Sequence, residues 1–206
     1  MIYPQVCGIC GKGKFTYLCK RCENRLNKIA IFGKDEYQDK YFENHYYIFK
    51  YDDIIRSIII DYKFNEKAYI YRSIAEFINK NKKVYSKLYF YDIIMPVPIS
   101  KKRKKVRGYN QSLLIAKEMA KIYDLKLKKN IIIKTKNNMA QSNLNKKDRE
   151  ANVVNAYKII ETKEITNKKI LLIDDIFTTG ATVNECSKTL KNAGAKKIDI
   201  LTIAKD

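Results

Sequence analysis

The chain has 206 residues and a formal net charge of +20, because 42 Lys and Arg residues stand against 22 Asp and Glu residues. Hydrophobic residues make up 46% of the chain, which is enough to bury a core and excludes wholesale disorder. Only 7 Gly and 3 Pro exclude a collagen-like fibre. No apolar run approaches the ~20 residues that span a bilayer, and the first residues lack the basic and apolar regions of a secretory signal. We therefore expect a soluble cytoplasmic protein without membrane insertion.

Four of the five cysteines lie close together near the N-terminus, at Cys7, Cys10, Cys19 and Cys22. Their spacing, C-x2-C-x8-C-x2-C, gives two tight knuckles whose four thiolates together suit a tetrahedral zinc ion. Two disulfides or a redox Cys-x-x-Cys pair are the alternatives, but a cytoplasmic setting disfavours disulfides and two neighbouring copies favour a metal. We predict one structural Zn²⁺ per chain, in a closed site that supplies folding energy to a module of about thirty residues.

The segments after the knuckles predict a short helix at 23–31 and a polar linker at 33–45. That linker carries His45, the only histidine, which we expect at the surface. From residue 46 the apolar periodicity indicates alternating strands and helices. We predict strands at 46–51, 90–97, 131–133, 169–173 and 198–204. We predict helices at 53–64, 69–79, 108–123 and 181–193, the last with Cys186 as a small buried residue. This alternation indicates an α/β fold with a mainly parallel sheet covered on both faces.

The positive charge is concentrated in one quarter of the chain. Residues 101–150 hold 16 basic and 4 acidic side chains, a net charge of +12, with the peak in a predicted loop at 101–107. Such a loop attracts polyanions, including nucleic acid and phosphorylated ligands. The alternative is a solvated surface that reflects a general richness in Lys, Ile, Asn and Tyr. The polar residues 137–152 predict a second, longer loop.

The most informative stretch begins with a predicted buried strand at 169–173. Two carboxylates follow it, Asp174 and Asp175, and then a turn rich in small hydroxyl residues leads into a helix. In open α/β sheets, ligands bind beyond the carboxyl ends of the strands. A glycine-containing turn at a helix N-terminus offers backbone N–H groups and the positive end of the helix dipole, which together suit a phosphate. Because the acids would repel that phosphate, we expect them to face neutral sugar hydroxyls.

A simple helix N-cap is the alternative explanation for this stretch. A cap accounts for one of Thr178 and Thr179 and for one acid near the helix dipole. It does not account for the acid pair, the doubled Thr and Gly180 together.

The strand, acid pair, turn and helix resemble the phosphoribosyl diphosphate (PRPP) motif of type I phosphoribosyltransferases. Further blocks resemble, in the same order, the ComF family of competence-related, phosphoribosyltransferase-like proteins. These blocks are the cysteine knuckles, Tyr62-Lys63-Phe64, Pro96-Val97-Pro98-Ile99, Arg107-Gly108-Tyr109-Asn110-Gln111, and Gln141 with Arg149 and Asn152. The resemblance covers nearly the whole chain. It implies a type I phosphoribosyltransferase-like sheet flanked by helices, divided as a zinc-binding module at 1–32, a linker at 33–45 and the main domain at 46–206.

The resemblance also implies roles for single residues. Asp174 and Asp175 would bind the ribose hydroxyls at the catalytic centre. The 5′-phosphate would lie against Thr178, Thr179, Gly180, Ala181 and Thr182. The diphosphate and a flexible loop closing over it would involve Val97, Pro98, Ser100, Lys101, Arg107, Gln141 and Arg149. Mg²⁺ would accompany PRPP and stabilise the departing diphosphate.

Three functional hypotheses follow for the chain. As an enzyme it would transfer the pentosyl group from PRPP to an acceptor that the sequence does not identify. As an adaptor in DNA uptake or recombination it would sense PRPP or a nucleotide and contact single-stranded DNA or DNA-processing proteins. As a zinc-stabilised interaction protein it would keep only a vestigial site.

Overall fold

The computed structural model describes residues 6–13, 16–65, 67–135 and 153–206. The predicted loop residues Gln141 and Arg149, together with Asn152, lie outside these described residues. The helices are α1 (Lys20–Ile29), α2 (Asp53–Phe64), α3 (Ile70–Lys80), a 3-10 helix (Lys82–Phe90), α4 (Lys101–Arg107), α5 (Gln111–Ile122) and α6 (Ala181–Asn192). The strands are β1 (Ala30–Glu36), β2 (Asn44–Lys50), β3 (Ile93–Pro96), β4 (Lys126–Leu127), β5 (Ile132–Lys134), β6 (Tyr157–Ile159), β7 (Lys169–Phe177) and β8 (Lys197–Lys205).

Six strands form the main sheet in the order β1-β2-β8-β7-β3-β4, and every neighbouring pair is parallel except β1 with β2. The remaining strands, β5 and β6, form a separate antiparallel pair. Because β3, β7 and β8 run in the same direction, their carboxyl ends meet at one edge of the sheet. This is the edge where ligands bind in open α/β folds.

Side chains from both faces of β7 are buried, as expected for an inner parallel strand. Leu171 and Ile173 pack in one core cluster, together with apolar residues of α2, α3 and α5. Ile170 and Leu172 pack in a second cluster, on the opposite face, with Val183 and other residues of α6. The predicted α/β fold, a mostly parallel sheet covered on both faces, is therefore confirmed.

The cysteine knuckles pack directly against α3. The Gly8 backbone N–H donates to Ser73 Oγ at 2.9 Å, and the Ser73 hydroxyl donates to the Tyr17 carbonyl. The Arg72 guanidinium lies 5.0 Å from the centre of the Tyr17 ring. A Cβ atom at Gly8 would lie 2.6 Å from Ser73 Oγ, so this approach requires a glycine.

Both ends of the segment predicted as a linker, 33–45, belong to strands instead. Residues of β1 pair with β2 from Gly33 to Glu36, and β2 itself begins at Asn44. Because the residues of β1 in this segment, Gly33 to Glu36, are mostly charged and the register is irregular between Ala30 and Gly33, the segment lacks the apolar alternation that identifies a strand. The expectation for His45 is wrong, since this side chain is fully buried in the sheet.

Other predicted elements differ mainly at their ends. Residues 101–107, predicted as a loop, form helix α4 instead. Strand β7 continues past residue 173 to Phe177, so the acid pair lies within its last residues. Strand β3 is shorter than predicted because residue 90 ends the preceding 3-10 helix. In the part of the chain that the structure describes, no helix combines the length and apolar character needed to cross a membrane.

Candidate functional site

A cleft of about 890 Å³ lies at the carboxyl ends of β3 and β7. Most of the residues assigned to a phosphoribosyl site line it: Val97, Pro98, Arg107, Asp174, Asp175, Thr178, Thr179, Gly180, Ala181 and Thr182. Ser100 and Lys101 are not among the described lining residues. Ser100 instead caps α4, where its Oγ accepts from the Arg103 backbone N–H at 3.3 Å, and Lys101 is exposed.

The hydroxyl-rich turn joins β7 to α6 at the rim of this cleft. Gly180 has a φ of +73°, in the left-handed region, and is the N-cap of α6. Thr179 Oγ1 accepts from the Ala181 backbone N–H at 3.3 Å, and the Gly180 carbonyl accepts from Asn184 N–H at 2.9 Å. The turn therefore places the positive end of a twelve-residue helix beside the cleft.

Phe177 supports the turn from below. A Cβ atom at Gly180 would lie 2.6 Å from Phe177 Cζ, so the two residues are in close contact. The Phe177 ring also stacks on His45, with ring centres 4.0 Å apart and planes 20° apart. This arrangement leaves little room for the turn to move toward the sheet.

His45 is a structural residue rather than a general base. Its Nε2 lies 2.8 Å from Thr202 Oγ1, and its Nδ1 has no partner among the described residues. Burial lowers the pKa of His45 to about 3. The ring is therefore neutral at physiological pH.

The two aspartates occupy different environments. Asp174 Oδ1 accepts from the Ser112 hydroxyl at 2.9 Å and from the Asp175 backbone N–H at 2.9 Å. Burial, together with the neighbouring charge of Asp175, raises the pKa of Asp174 to about 7. Asp175 Oδ1 lies 2.9 Å from Lys63 Nζ, and the two side chains are only 13% and 19% exposed.

Several cations from different elements surround the aspartates. Arg107 lies over the Phe64 ring at 5.2 Å, and Lys134 lies over the Tyr157 ring at 5.4 Å. Burial lowers the pKa of both Arg107 and Lys134. Arg103 also lines the cleft. A cleft with this many basic groups is suited to an anionic ligand.

Sequence reasoning assigned no role to three of the polar residues at this site. These are Lys63, Ser112 and Lys134. Lys63 had one signal, since it belongs to the Tyr-Lys-Phe block, whereas Lys134 stands in an ordinary lysine-rich segment.

The four N-terminal cysteines form a second candidate site. Their Sγ atoms all lie within 4.8 Å of one another, and those of Cys10 and Cys19 are 3.7 Å apart. A tetrahedral zinc ion with Zn–S bonds of about 2.3 Å requires sulfur atoms about 3.8 Å apart. A hydrogen bond from the Cys22 backbone N–H lowers the pKa of Cys19 to about 7, whereas burial raises the pKa of Cys10 and Cys22, so a bound metal ion would displace protons from those two thiols. All five cysteines are free thiols, and the four-thiol cluster fits a metal ion such as zinc. Cys186, apart from them, is buried in α6 as predicted.

Comparison with known proteins gives one domain match and several relatives. Residues 110–206 match the family described as phosphoribosyl transferase domain. The chain is 29% identical over 203 residues to Competence protein F of Haemophilus influenzae, covering 97% of this chain and 84% of that protein. It is 30% identical over 163 residues to Competence protein ComFC of Streptococcus pneumoniae, covering 79% and 68%. It is 27% identical over 109 residues to the DNA utilization protein YhgH of Escherichia coli K12, covering 53% and 47%.

Proposed function

The chain belongs to the ComF family of phosphoribosyltransferase-like competence proteins, and we propose that it binds PRPP or a related phosphoribosyl ligand in a role linked to DNA uptake. The observation that supports this proposal best is the position of the turn. Gly180, in its left-handed conformation, begins α6 at the rim of the cleft, next to the acid pair. The names of the relatives, which refer to competence and to DNA utilization, support the cellular role.

In this proposal each part of the ligand has its own contact region. The 5′-phosphate lies at the turn, where the N-terminus of α6 favours negative charge. The ribose hydroxyls donate to Asp174 and Asp175. A diphosphate at C1 lies toward Val97, Pro98 and Arg107, where the arginine offsets its charge. Mg²⁺, when bound with PRPP, would neutralise part of that diphosphate charge.

Turnover of such a ligand would be pentosyl transfer. The bond between ribose C1 and the diphosphate breaks as a bond between C1 and the acceptor forms, and the diphosphate leaves with the electron pair. The sugar then carries positive charge, which the Asp175 carboxylate stabilises electrostatically. Release of diphosphate from PRPP in the presence of a panel of nucleobases would distinguish transfer from binding alone.

Substitution of Gly180 tests the phosphate contact. We expect Gly180→Ala to weaken binding of Mg-PRPP by at least about tenfold, because a Cβ at φ +73° lies 2.6 Å from Phe177 Cζ and must displace the turn. Isothermal titration calorimetry measures the affinity. Unchanged affinity in Gly180→Ala would contradict the proposed position of the 5′-phosphate.

Gly194 provides a matched control at the opposite end of α6. It also has a positive φ, +92°, so an alanine there carries similar backbone strain of roughly 1–2 kcal/mol. Its Cβ would meet Thr166 only at ordinary contact distances, 3.5 Å or more, and it does not line the cleft. Gly194→Ala should lower the stability of the protein and leave PRPP affinity unchanged.

A second candidate function has support from helix α4. All four of its lysines are exposed: Lys101, Lys102, Lys104 and Lys105. In this candidate the chain is a non-catalytic adaptor that binds single-stranded DNA through these charges. Salt-sensitive DNA binding without diphosphate release would favour it over pentosyl transfer.

A further inference from the structure

The ion pair between Lys63 and Asp175 lines the cleft. Nζ and Oδ1 are 2.9 Å apart, and neither side chain is more than one-fifth exposed. Among the described residues, Lys63 is the only cation that lies within 4 Å of a carboxylate oxygen of Asp174 or Asp175. Such a sheltered pair is much less screened by salt than a pair on the surface.

The residue that precedes Lys63 is held in place by two hydrogen bonds. Tyr62, its neighbour in α2, is fully buried, and its hydroxyl donates to the Gln111 carbonyl at 2.8 Å. The Tyr109 hydroxyl donates to the Tyr62 carbonyl. The last turn of α2 is thus attached to the start of α5, and Lys63 is directed to the aspartates by the fold.

Each aspartate has one oxygen already engaged. Asp174 Oδ1 holds two donors, and Asp175 Oδ1 holds the Lys63 ammonium. Within the described residues, the hydrogen bonds and ion pairs leave the second oxygen of each carboxylate to accept from a ligand. A divalent ion bridging those two oxygens would stand close to the ammonium and be repelled by it, whereas two sugar hydroxyls add no charge.

We propose that Lys63 is the resident cation of this acid pair, so that the cleft binds a pentose 5-phosphate through its vicinal hydroxyls without a divalent metal ion. The inference rests on the proposed function, because it concerns the same site. It names the minimal ligand as a 5-phosphorylated pentose.

The charge balance explains why the lysine is required. Without Lys63, two adjacent carboxylates would remain at a site where burial and mutual repulsion already raise the pKa of Asp174. The neutral methionine of Lys63→Met has a similar length, so it removes the charge with little change in volume. We expect this variant to bind the ligand only when Mg²⁺ supplies the missing positive charge.

Calorimetric titration with ribose 5-phosphate, in EDTA and in MgCl₂, tests the proposal. We expect the wild-type affinities in the two buffers to agree within about twofold. In EDTA, Lys63→Met should bind ribose 5-phosphate about tenfold or more weakly than the wild type, because Asp175 has lost its charge-assisted contact with the lysine. Its affinity should recover in MgCl₂. Lys63→Arg should retain metal-independent binding, because it keeps the positive charge. Lys67→Met is the matched control, since Lys67 pairs with Asp61 at 2.7 Å and does not line the cleft.

The outcomes separate the two proposals. Wild-type binding that requires Mg²⁺ would overturn the role of Lys63 and leave the phosphoribosyl site intact. If Lys63→Met is folded by circular dichroism and binds ribose 5-phosphate in EDTA as tightly as the wild type, that result would also overturn the role of Lys63. Absence of binding in both buffers, for ribose 5-phosphate and for Mg-PRPP, would overturn the proposed function itself. The wild-type comparison needs no variant, so a misfolded Lys63→Met protein would still leave the proposal open to contradiction.

Discussion

Asp174 has an environment that favours its protonated form. Burial and the charge of Asp175 raise its pKa to about 7, from an ordinary value of about 3.9 in an unfolded chain. Between these two values the folded state binds more protons than the unfolded state. The free energy of unfolding therefore falls as the pH rises through this window, and the loss is complete above about pH 7.

We expect Asp174→Asn to remove this pH dependence. Asparagine is neutral and keeps an oxygen that accepts from Ser112, so the variant should gain thermal stability relative to wild type as the pH rises from 4 to 7. The difference in melting temperature should then be constant above pH 7. Thermal unfolding of the ligand-free proteins, followed by circular dichroism, measures it. A difference that does not vary with pH would contradict the raised pKa.

Asp61→Asn should behave in the opposite way and serves as the control. A hydrogen bond from Lys67 lowers the pKa of Asp61, so this carboxylate stabilises the folded state at neutral pH. Its replacement should cost stability at pH 7, and the cost should vanish as the pH falls toward 3. The effect should be small, because this ion pair is partly exposed.

Single residues were predictable from the sequence where the chain itself places them together. Asp174, Asp175 and the turn that follows are consecutive, so the local order of residue types identified them as a candidate site. Ser112, Lys134 and Lys63 reach the same cleft from α5, β5 and α2. No local pattern records such a meeting, because it is produced by packing. The burial of His45 was missed for the same reason, since Phe177 and Thr202 come from strands that are far from His45 in the sequence.

Among the secondary-structure elements, the inner strands were the most predictable. The apolar residues of β7 and β8 face the two core clusters and leave a continuous sequence signal. The second half of β1, from Gly33 to Glu36, gave no such signal, because an edge strand has one pairing partner and little buried surface. Helix α4 was missed because a run of cations gave no apolar periodicity. Its end signals were present nonetheless, since Ser100 caps its start and Gly108, at a φ of +81°, ends it.

Helix α4 makes a testable prediction for DNA binding. Reversing exposed charges of α4 should weaken binding of a single-stranded oligonucleotide, because contacts with phosphates are lost. Each lost contact should also reduce the slope of log affinity against log salt by about 0.7. The variant replaces three lysines with glutamate: Lys101, Lys102 and Lys105. Fluorescence anisotropy across a range of salt concentrations should show a slope lower by about 2 if all three contact phosphates.

A control with the same net charge separates a local contact from general attraction. It reverses three exposed lysines of the 3-10 helix: Lys82, Lys83 and Lys87. We expect this control to keep most of the wild-type slope. Equal losses in the two variants would show that DNA responds only to net charge, and would remove the support that α4 gives to the adaptor function.

At the scale of the whole molecule, the contacts between the cysteine knuckles and the rest of the chain determine whether the knuckles fold as a separate unit. The division into modules at 1–32 and 46–206 remains a prediction. Cys7, Leu18 and Cys22 nevertheless share one core cluster with residues of α3. Glu23 of α1 also pairs with Lys80 of α3 at 2.6 Å. The four-cysteine cluster therefore packs on the same side of the sheet as α2, the helix that carries Lys63.

We expect removal of the metal to destabilise the whole chain in one transition. Structural zinc sites contribute folding energy directly, so a strong chelator should lower the melting temperature by about 10 °C or more. Because the knuckles share the core of α3, calorimetry should show a single shifted peak and not an early separate one.

Metal analysis should find one zinc ion per chain in the wild type and in Cys186→Ser, the control outside the cluster, and none in Cys7→Ser with Cys22→Ser. An unchanged melting temperature after complete removal of zinc would contradict a stabilising role for the metal. Two separated transitions would instead mean that the knuckles fold independently, as the predicted module boundary implies.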